Sequence, residues 1–307
     1  MRGMVLRVAA VAACVCATGF VHGRMDTTAR VGRGDLFVPR PEIARATALG
    51  FDAVLADYYW LQAVQVVGSE MLPESRSHLL ARLIDVVTTL DPRVDHPYRF
   101  AAVWLTADEE SVRKANKLLE RGIEHHPDEW RNRFYLGFNQ FFYLDERAAA
   151  AETLEGAIAL PGAPLYLRRL VARLKAERGG LDVAEAFLRQ LLHDAPDPYA
   201  RAEYEKALDE VHVERLARRL DAARIEYVKR NGRDIDRVED LIAGPDAVLP
   251  QLPPEPHGWE WVIDADTGAI VSSYLRHRYR ARIDPASQQL LKKWRLPKDA
   301  EQMVEES

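Results

Sequence analysis

Trp130–Pro161 reads WRNRFYLGFNQFFYLDERAAAAETLEGAIALP. The stretch holds a pair of helical patterns and closes on Pro161, which ends the second because the residue before a proline disfavours the α region. The same punctuation recurs along the chain. Pro92, Pro127, Pro161 and Pro196 mark off units of 35, 34 and 35 residues, each again a pair of helical patterns. A period near 34 residues built from two helices marks a repeat solenoid, whose units bury apolar faces against their neighbours and leave a continuous groove for a partner. The chain therefore reads as a binder.

Composition agrees. With 307 residues, 48% hydrophobic and 29% charged, the chain can bury a substantial core. A net charge of −5 argues against a general nucleic-acid binder, which needs a basic surface to neutralise phosphates. At the N-terminus, Arg2 and Arg7 precede an uncharged run, Val8 to Val21. That run has the length of a signal-peptide core and falls short of the ~20 residues of a membrane span. Residues 1–23 read as an export signal, with cleavage after Gly23. An uncleaved anchor starting near Val5, or lipidation at Cys14 in Val11-Ala12-Ala13-Cys14, are the alternatives. Both cysteines, Cys14 and Cys16, lie in this segment, so a chain cut at Gly23 has no disulfide, thiolate metal site or cysteine nucleophile. The expected location is the periplasmic side of a bacterial inner membrane, with association possible through the N-terminus.

Residues 24–42 form a polar leader. Its Arg33-Gly34-Asp35 spells an integrin-binding tripeptide, which short sequences produce by chance. Structure is expected from Ile43. Between Phe51 and Gly68 apolar residues line two sides of one helix, which predicts neighbours on both. Leu80, Leu83, Ile84, Val87 and Leu90 give the next helix a single stripe before Asp91-Pro92 stops it.

The three following units resemble tetratricopeptide repeats (TPRs). Counting Trp130 as position one, Leu136-Gly137 falls at the family's Leu-Gly pair, Ala149 and Gly156 at small positions of the second helix, and Pro161 at its closing proline. Tyr98, Ala101, Ala102, Ala115, Leu119 and Gly122 fit the unit before, and Leu167, Leu170 and Phe187 the unit after. The resemblance implies an all-α, TPR-like solenoid coiled as a right-handed superhelix over residues 43–230, closed by a capping helix. It also implies that first-helix positions line a concave groove for a protein or peptide partner. Transferred onto this chain, those positions are His96 and Arg99, then Arg131, Phe134, Phe138 and Phe141, then Arg168 and Lys175. An aromatic strip flanked by cations would suit an extended peptide with an apolar anchor and acidic groups. The alternative is that the phenylalanines pack against adjacent helices. Phe138 stands where a carboxylate clamp would need Asn, so clamp-type chaperone binding is not expected.

From Tyr199 to about Lys229 a long charged helix is expected as the cap, ended by Asn231-Gly232 in the left-handed conformation that favours glycine. Residues 231–307 differ in composition and form a small C-terminal module, α+β in character. Trp259–Ile263 and Ala269–Tyr274 read as strands of a β-hairpin. The order Tyr227, Asn231-Gly232, short helix, Leu252-Pro253, Pro256-His257-Gly258, aromatic strand resembles the soluble part of type II secretion pseudopilins. Their processing motif and polymerising helix are absent from this chain. That resemblance points to envelope assembly machinery.

No catalytic constellation is read. Asp266-Thr267-Gly268-Ala269 matches an aspartic-protease loop but has no second copy to share its proton, and turn chemistry accounts for it. Asp264 and Asp266 begin a calcium-like loop that lacks its glycine and its closing glutamate. His125-His126 ends a helix, where a cation suits the dipole. No cofactor, metal or small-molecule substrate is expected. Tyr274 to Lys298 carries eight Lys or Arg and one Asp, with Arg276, Arg278, Arg280 and Arg282 alternating as on one face of a strand. This reads as a protective charged edge, or as a dock for an anionic surface. The leading expectation is an exported scaffold for a secretion or pilus complex. An enzyme with its site in the C-terminal module and a basic-tail binder are the rivals.

Overall fold

The computed structural model describes residues 37–68, 74–283, 286–289 and 291, with isolated positions 13 and 16. The chain divides into two compact units, residues 1–40 and 41–307. The expected export run, the lipidation site at Cys14 and most of the leader lie outside the described residues, and Cys16 is exposed. Among the described residues no helix is long and apolar enough to cross a membrane.

The second unit opens with α1 (Pro41–Thr47), α2 (Asp52–Gly68) and α3 (Glu74–Leu90). Three pairs follow: α4 (His96–Trp104) with α5 (Glu109–His125), α6 (Trp130–Phe142) with α7 (Arg147–Ile158), and α8 (Leu165–Gly179) with α9 (Leu181–His193). The long α10 (Pro198–Asn231) precedes a 3-10 turn (Val238–Leu241) and an antiparallel hairpin of β1 (Trp261–Ile263) and β2 (Ile270–Ser272). From α2 onward each helix packs on the next and α1 packs on α3, while α4 also meets α6, α3 meets α5 and α8 meets α10. First helices thus touch first helices and second touch second. This is a TPR-like helical solenoid with a small β-hairpin module at its C-terminal end.

Local chemistry sets the helix ends. Asp108 caps α5 by accepting from the Ser111 N–H at 2.7 Å, and Asp197 caps α10 by accepting from Ala200 at 2.8 Å. Each such cap contributes about 1 kcal/mol. Gly232 closes α10 at φ +68°, as Asn231-Gly232 predicted.

Small residues set how closely paired helices approach. A Cβ on Gly137 would lie 2.6 Å from Leu154 Cγ, and one on Gly122 would lie 2.8 Å from Tyr98 Cγ. Leu154 and Tyr98 are fully buried, so neither can yield cheaply. Gly156, expected to serve the same purpose, meets only the flexible Arg133 side chain at 3.4 Å.

Two expectations are corrected. The α2 helix is covered on one side only: Ala56 and Ala63 are buried, whereas Phe51, Tyr58 and Leu61 are 66%, 52% and 59% exposed. Among the described residues only the short α1 precedes it, and that helix packs on α3. The arginine alternation is not a strand edge, because β2 ends at Ser272. Beyond it the chain turns at Arg276, which adopts φ +56°, and runs back over the helices.

The module has no core of its own. Trp261, Ile270, Ile235, Val238 and Leu241 share one apolar cluster with Val213, Ala217, Leu220, Ala223 and Tyr227 of α10. Asp264 builds the hairpin turn by accepting from both the N–H and the hydroxyl of Thr267, at 2.8 and 2.6 Å. The Asp-Thr-Gly sequence is therefore turn chemistry.

The two helical glycines should respond oppositely to alanine. Gly156→Ala should raise the denaturation midpoint, since alanine is favoured over glycine by up to about 1 kcal/mol in a helix. Gly137→Ala should lower it, because overpacking at Leu154 costs about 1–3 kcal/mol. Urea unfolding followed by circular dichroism measures both, and an upward shift for Gly137→Ala would contradict the close approach.

Candidate functional site

The α6 helix carries the expected aromatic strip, extended at both ends. Trp130 meets Phe134 edge-on at 6.0 Å, Phe134 lies 6.2 Å from Phe138, and Phe138 stacks on Phe142 at 5.0 Å and 13°. Phe134, Phe138 and Phe142 are half-buried and Arg131 is exposed. Residues spaced four apart share a helix face, so the rings form one ladder. Trp60 of α2 prolongs the aromatic surface by meeting His96 and Phe100 of α4 at 4.7 and 4.9 Å. Tyr135 and Phe142, absent from the expected set, belong to this surface. Counting aromatic residues at i+4 from Phe138 would have found Phe142.

The expected groove residues do not share one face. Phe141 is 5% exposed and sits in a cluster with Ala150, Leu154, Leu167, Val171 and Leu174. It faces α7 and α8, with the Arg147 guanidinium 5.2 Å over its ring. Arg168 donates to the carbonyl of Ile158 at the end of α7 and to that of Ala163 in the loop after it, at 3.2 and 3.3 Å. The first of these satisfies a helix-terminal carbonyl. Lys175 pairs with Glu155 of α7 at 2.7 Å and stands over the Phe187 ring of α9. Both side chains thus turn toward second helices, away from the face the first helices present. Arg99 pairs with Asp95 at 2.8 Å, and Arg131 with Glu129 at 3.0 Å over the Trp130 ring.

A different set of residues forms the working face of α8 and α10, and part of the chain is seated on it. Residues 278–283 form a strap that turns at Tyr279, where the Arg280 N–H donates to the Arg278 carbonyl at 3.1 Å. Arg278 forks onto Glu214 of α10, Nε to Oε2 at 2.8 Å and Nη2 to Oε1 at 3.0 Å, and also pairs with Asp221. Tyr279 donates its N–H to Glu214 at 2.9 Å and lies under the Arg173 guanidinium of α8. Ala281 donates its N–H to Glu177 of α8 at 2.7 Å and enters the cluster that contains Phe141 of α6. Ile283 packs on the same cluster. The arginine alternation now has its cause: Tyr279 and Ala281 are buried, while Arg280 and Arg282 between them are exposed.

Electrostatics hold the strap down. Glu214 is 5% exposed. Burial raises its carboxyl pKa, yet hydrogen bonds from Arg278, Arg218 and the Tyr279 N–H outweigh that and hold it below the ordinary value. Glu210 is also buried and pairs with Arg173 at 2.9 Å. Removing one partner of such a pair is far more costly than the pair is stabilising. Burial pushes the Tyr279 phenol up.

The nearest approach to a catalytic cluster in the module is Glu255, His257, Asp209 and Ser272. Glu255 is buried and accepts from the Ser272 hydroxyl at 2.7 Å and from the N–H groups of His257 and Trp259 at 2.7 and 3.0 Å. His257 spans Glu255 at 3.1 Å and Asp209 of α10 at 2.6 Å, and stacks on Tyr274 at 4.3 Å. Ser272 is 1% exposed and donates its hydroxyl hydrogen bond to that carboxylate. The cluster chemically ties the proline-rich crossing to α10. Among the described residues no group of His, Cys, Asp and Glu could hold a metal ion.

No family model matches the chain, and no curated protein matches it. Among solved structures it is similar to a thermophilic TPR protein of Thermus thermophilus, at 20% identity over 55% of this chain and 98% of that one, with a TM-score of 0.30. The repeat architecture stands on the helix pairing above and not on that likeness. The pseudopilin resemblance finds no support in these comparisons. A TPR-like fold suits a protein-interaction scaffold in general.

His257 makes stability depend on pH. Burial favours its neutral form, but Glu255 and Asp209 outweigh this and raise its pKa above 6.5. Its contribution is therefore fully present below pH 6.5, the ordinary value, and is lost as pH rises through the higher folded value. Thermal melts should fall from about pH 6.5 upward, and His257→Gln should flatten that part of the profile. A profile unchanged by the substitution would contradict the charged bridge.

Proposed function

We propose that this protein is an exported scaffold that holds partner proteins by an extended segment laid across the first helices of its solenoid, at the periplasmic side of a bacterial inner membrane. The observation that carries the reading is the strap. A stretch of six residues, 278–283, already lies across α10, α8 and the edge of α6 with Arg278, Tyr279 and Ala281 turned inward. Such a face offers acceptors and apolar contacts to a short segment of chain.

The aromatic ladder of Phe134, Phe138 and Phe142 then supplies an anchor for apolar partner side chains beyond the strap, with Arg131 exposed beside it. Large aromatic rings gain much by burial and lose little conformational freedom. The location follows from Arg2, Arg7 and the uncharged Val8–Val21 run. Assembly of a secretion or pilus complex is the envelope role in keeping with that location.

Two measurements test this. Tagged protein should capture a defined set of envelope proteins, and Phe138→Ser with Phe142→Ser should reduce that capture at least tenfold while the helical circular dichroism is kept. Undiminished capture by the folded variant would sink the surface assignment. Cell fractionation should place the chain with the envelope, and recovery in the cytosol alone would end the localisation.

A further inference from the structure

The surface under the strap is more selective than an apolar groove. Glu214 and Asp221 of α10 hold the Arg278 guanidinium, and the buried carboxylate of Glu214 is balanced by that cation and Arg218. Glu214 and Glu177 accept the N–H groups of Tyr279 and Ala281 at 2.9 and 2.7 Å. Arg173 meets the face of the Tyr279 ring at 5.6 Å. Ala281 is 5% exposed and joins the cluster that contains Phe141.

We infer that residues 278–283 are a displaceable internal ligand, and that the surface beneath recognises a partner segment of the same chemistry: a basic residue, an aromatic one, a small residue two positions on and an aliphatic one two further. The inference rests on the reading of the first-helix face as a binding surface, and it fixes the partner's charge. Carboxylates face the strap where the sequence suggested cations, so the fitting segment is basic and not acidic. Competition between strap and partner makes the apparent affinity depend on the fraction of time that the strap is open.

The strap is joined to the helices by side-chain hydrogen bonds and by the Tyr279 ring, which enters an apolar cluster with Ala207 and Val211 of α10, and no described strand pairs with it. Its release exposes Glu214, which keeps Arg218 as a partner at 2.8 Å.

A fluorescein-labelled peptide of residues 274–283, YLRHRYRARI, is the probe, titrated by anisotropy into the full chain and into the full chain carrying Arg278→Ala and Tyr279→Ser. The weakened strap should let the peptide bind at least tenfold more tightly than to the unaltered chain. A peptide with the Arg278→Glu and Tyr279→Ser changes should not bind. A folded variant that binds the peptide no better than the unaltered chain overturns the inference. Hydrogen exchange on the unaltered chain provides a second reading that needs no variant. Amides of 278–283 should exchange much faster than those inside α8 and α10, and equal protection overturns displacement. Peptide failure with capture still sensitive to Phe138 would leave the binding surface standing. Capture insensitive to Phe138 and Phe142 with the peptide bound would remove the aromatic ladder instead.

Discussion

A pair of short helices cannot bury its apolar stripes alone, and the organisation of this chain follows from what covers each one. Gly137 and Gly122 allow the second helix of a unit to sit directly on the first, against Leu154 and Tyr98. The outer faces then need another pair. Inside the solenoid the next repeat provides it. At the C-terminal end α10 provides it instead, and its far side is covered in turn by the hairpin module and the strap. Among the described residues the module's apolar side chains bury against that helix.

The period, the helix pairs, the cap and the hairpin turn were legible in the sequence because each has a local cause. Prolines end helices, Asp108 and Asp197 cap them, and Gly232 takes the left-handed conformation, all through neighbours within a few residues. The faces of the first helices were less legible. A helix turns about 100° per residue, so positions five and twelve of a first helix, seven residues apart, share a side, and the sequence does not say which neighbour closes over it. Arg168 and Lys175 face α7 and α9, while Arg173 and Glu177 face the strap. Phe141 carried the right residue type on a side that α7 and α8 close over.

The strap itself could not be read from spacing. Alternation at Arg276, Arg278, Arg280 and Arg282 says that the backbone is extended, but not which side meets protein. The decision lies in partners 64 residues away, Glu214 for Arg278, and 104 residues away, Glu177 for Ala281. Arg278 belongs to the exposed parity by sequence, yet it is held inward because two carboxylates wait there. The buried residues are the ones between the arginines, Tyr279 and Ala281.

The way the strap is held bears on what a first-helix face can recognise. The strap turns at Tyr279, where the Arg280 N–H donates to the Arg278 carbonyl, and the N–H groups on either side of Arg280 go to carboxylates: Glu214 accepts at 279 and Glu177 at 281. These carboxylates replace a neighbouring strand as acceptors, so the backbone is satisfied without belonging to a sheet. Backbone acceptors alone would hold any sequence. The fork between Glu214 and Arg278 adds what backbone acceptors lack, because a bidentate guanidinium pair fixes both charge and direction.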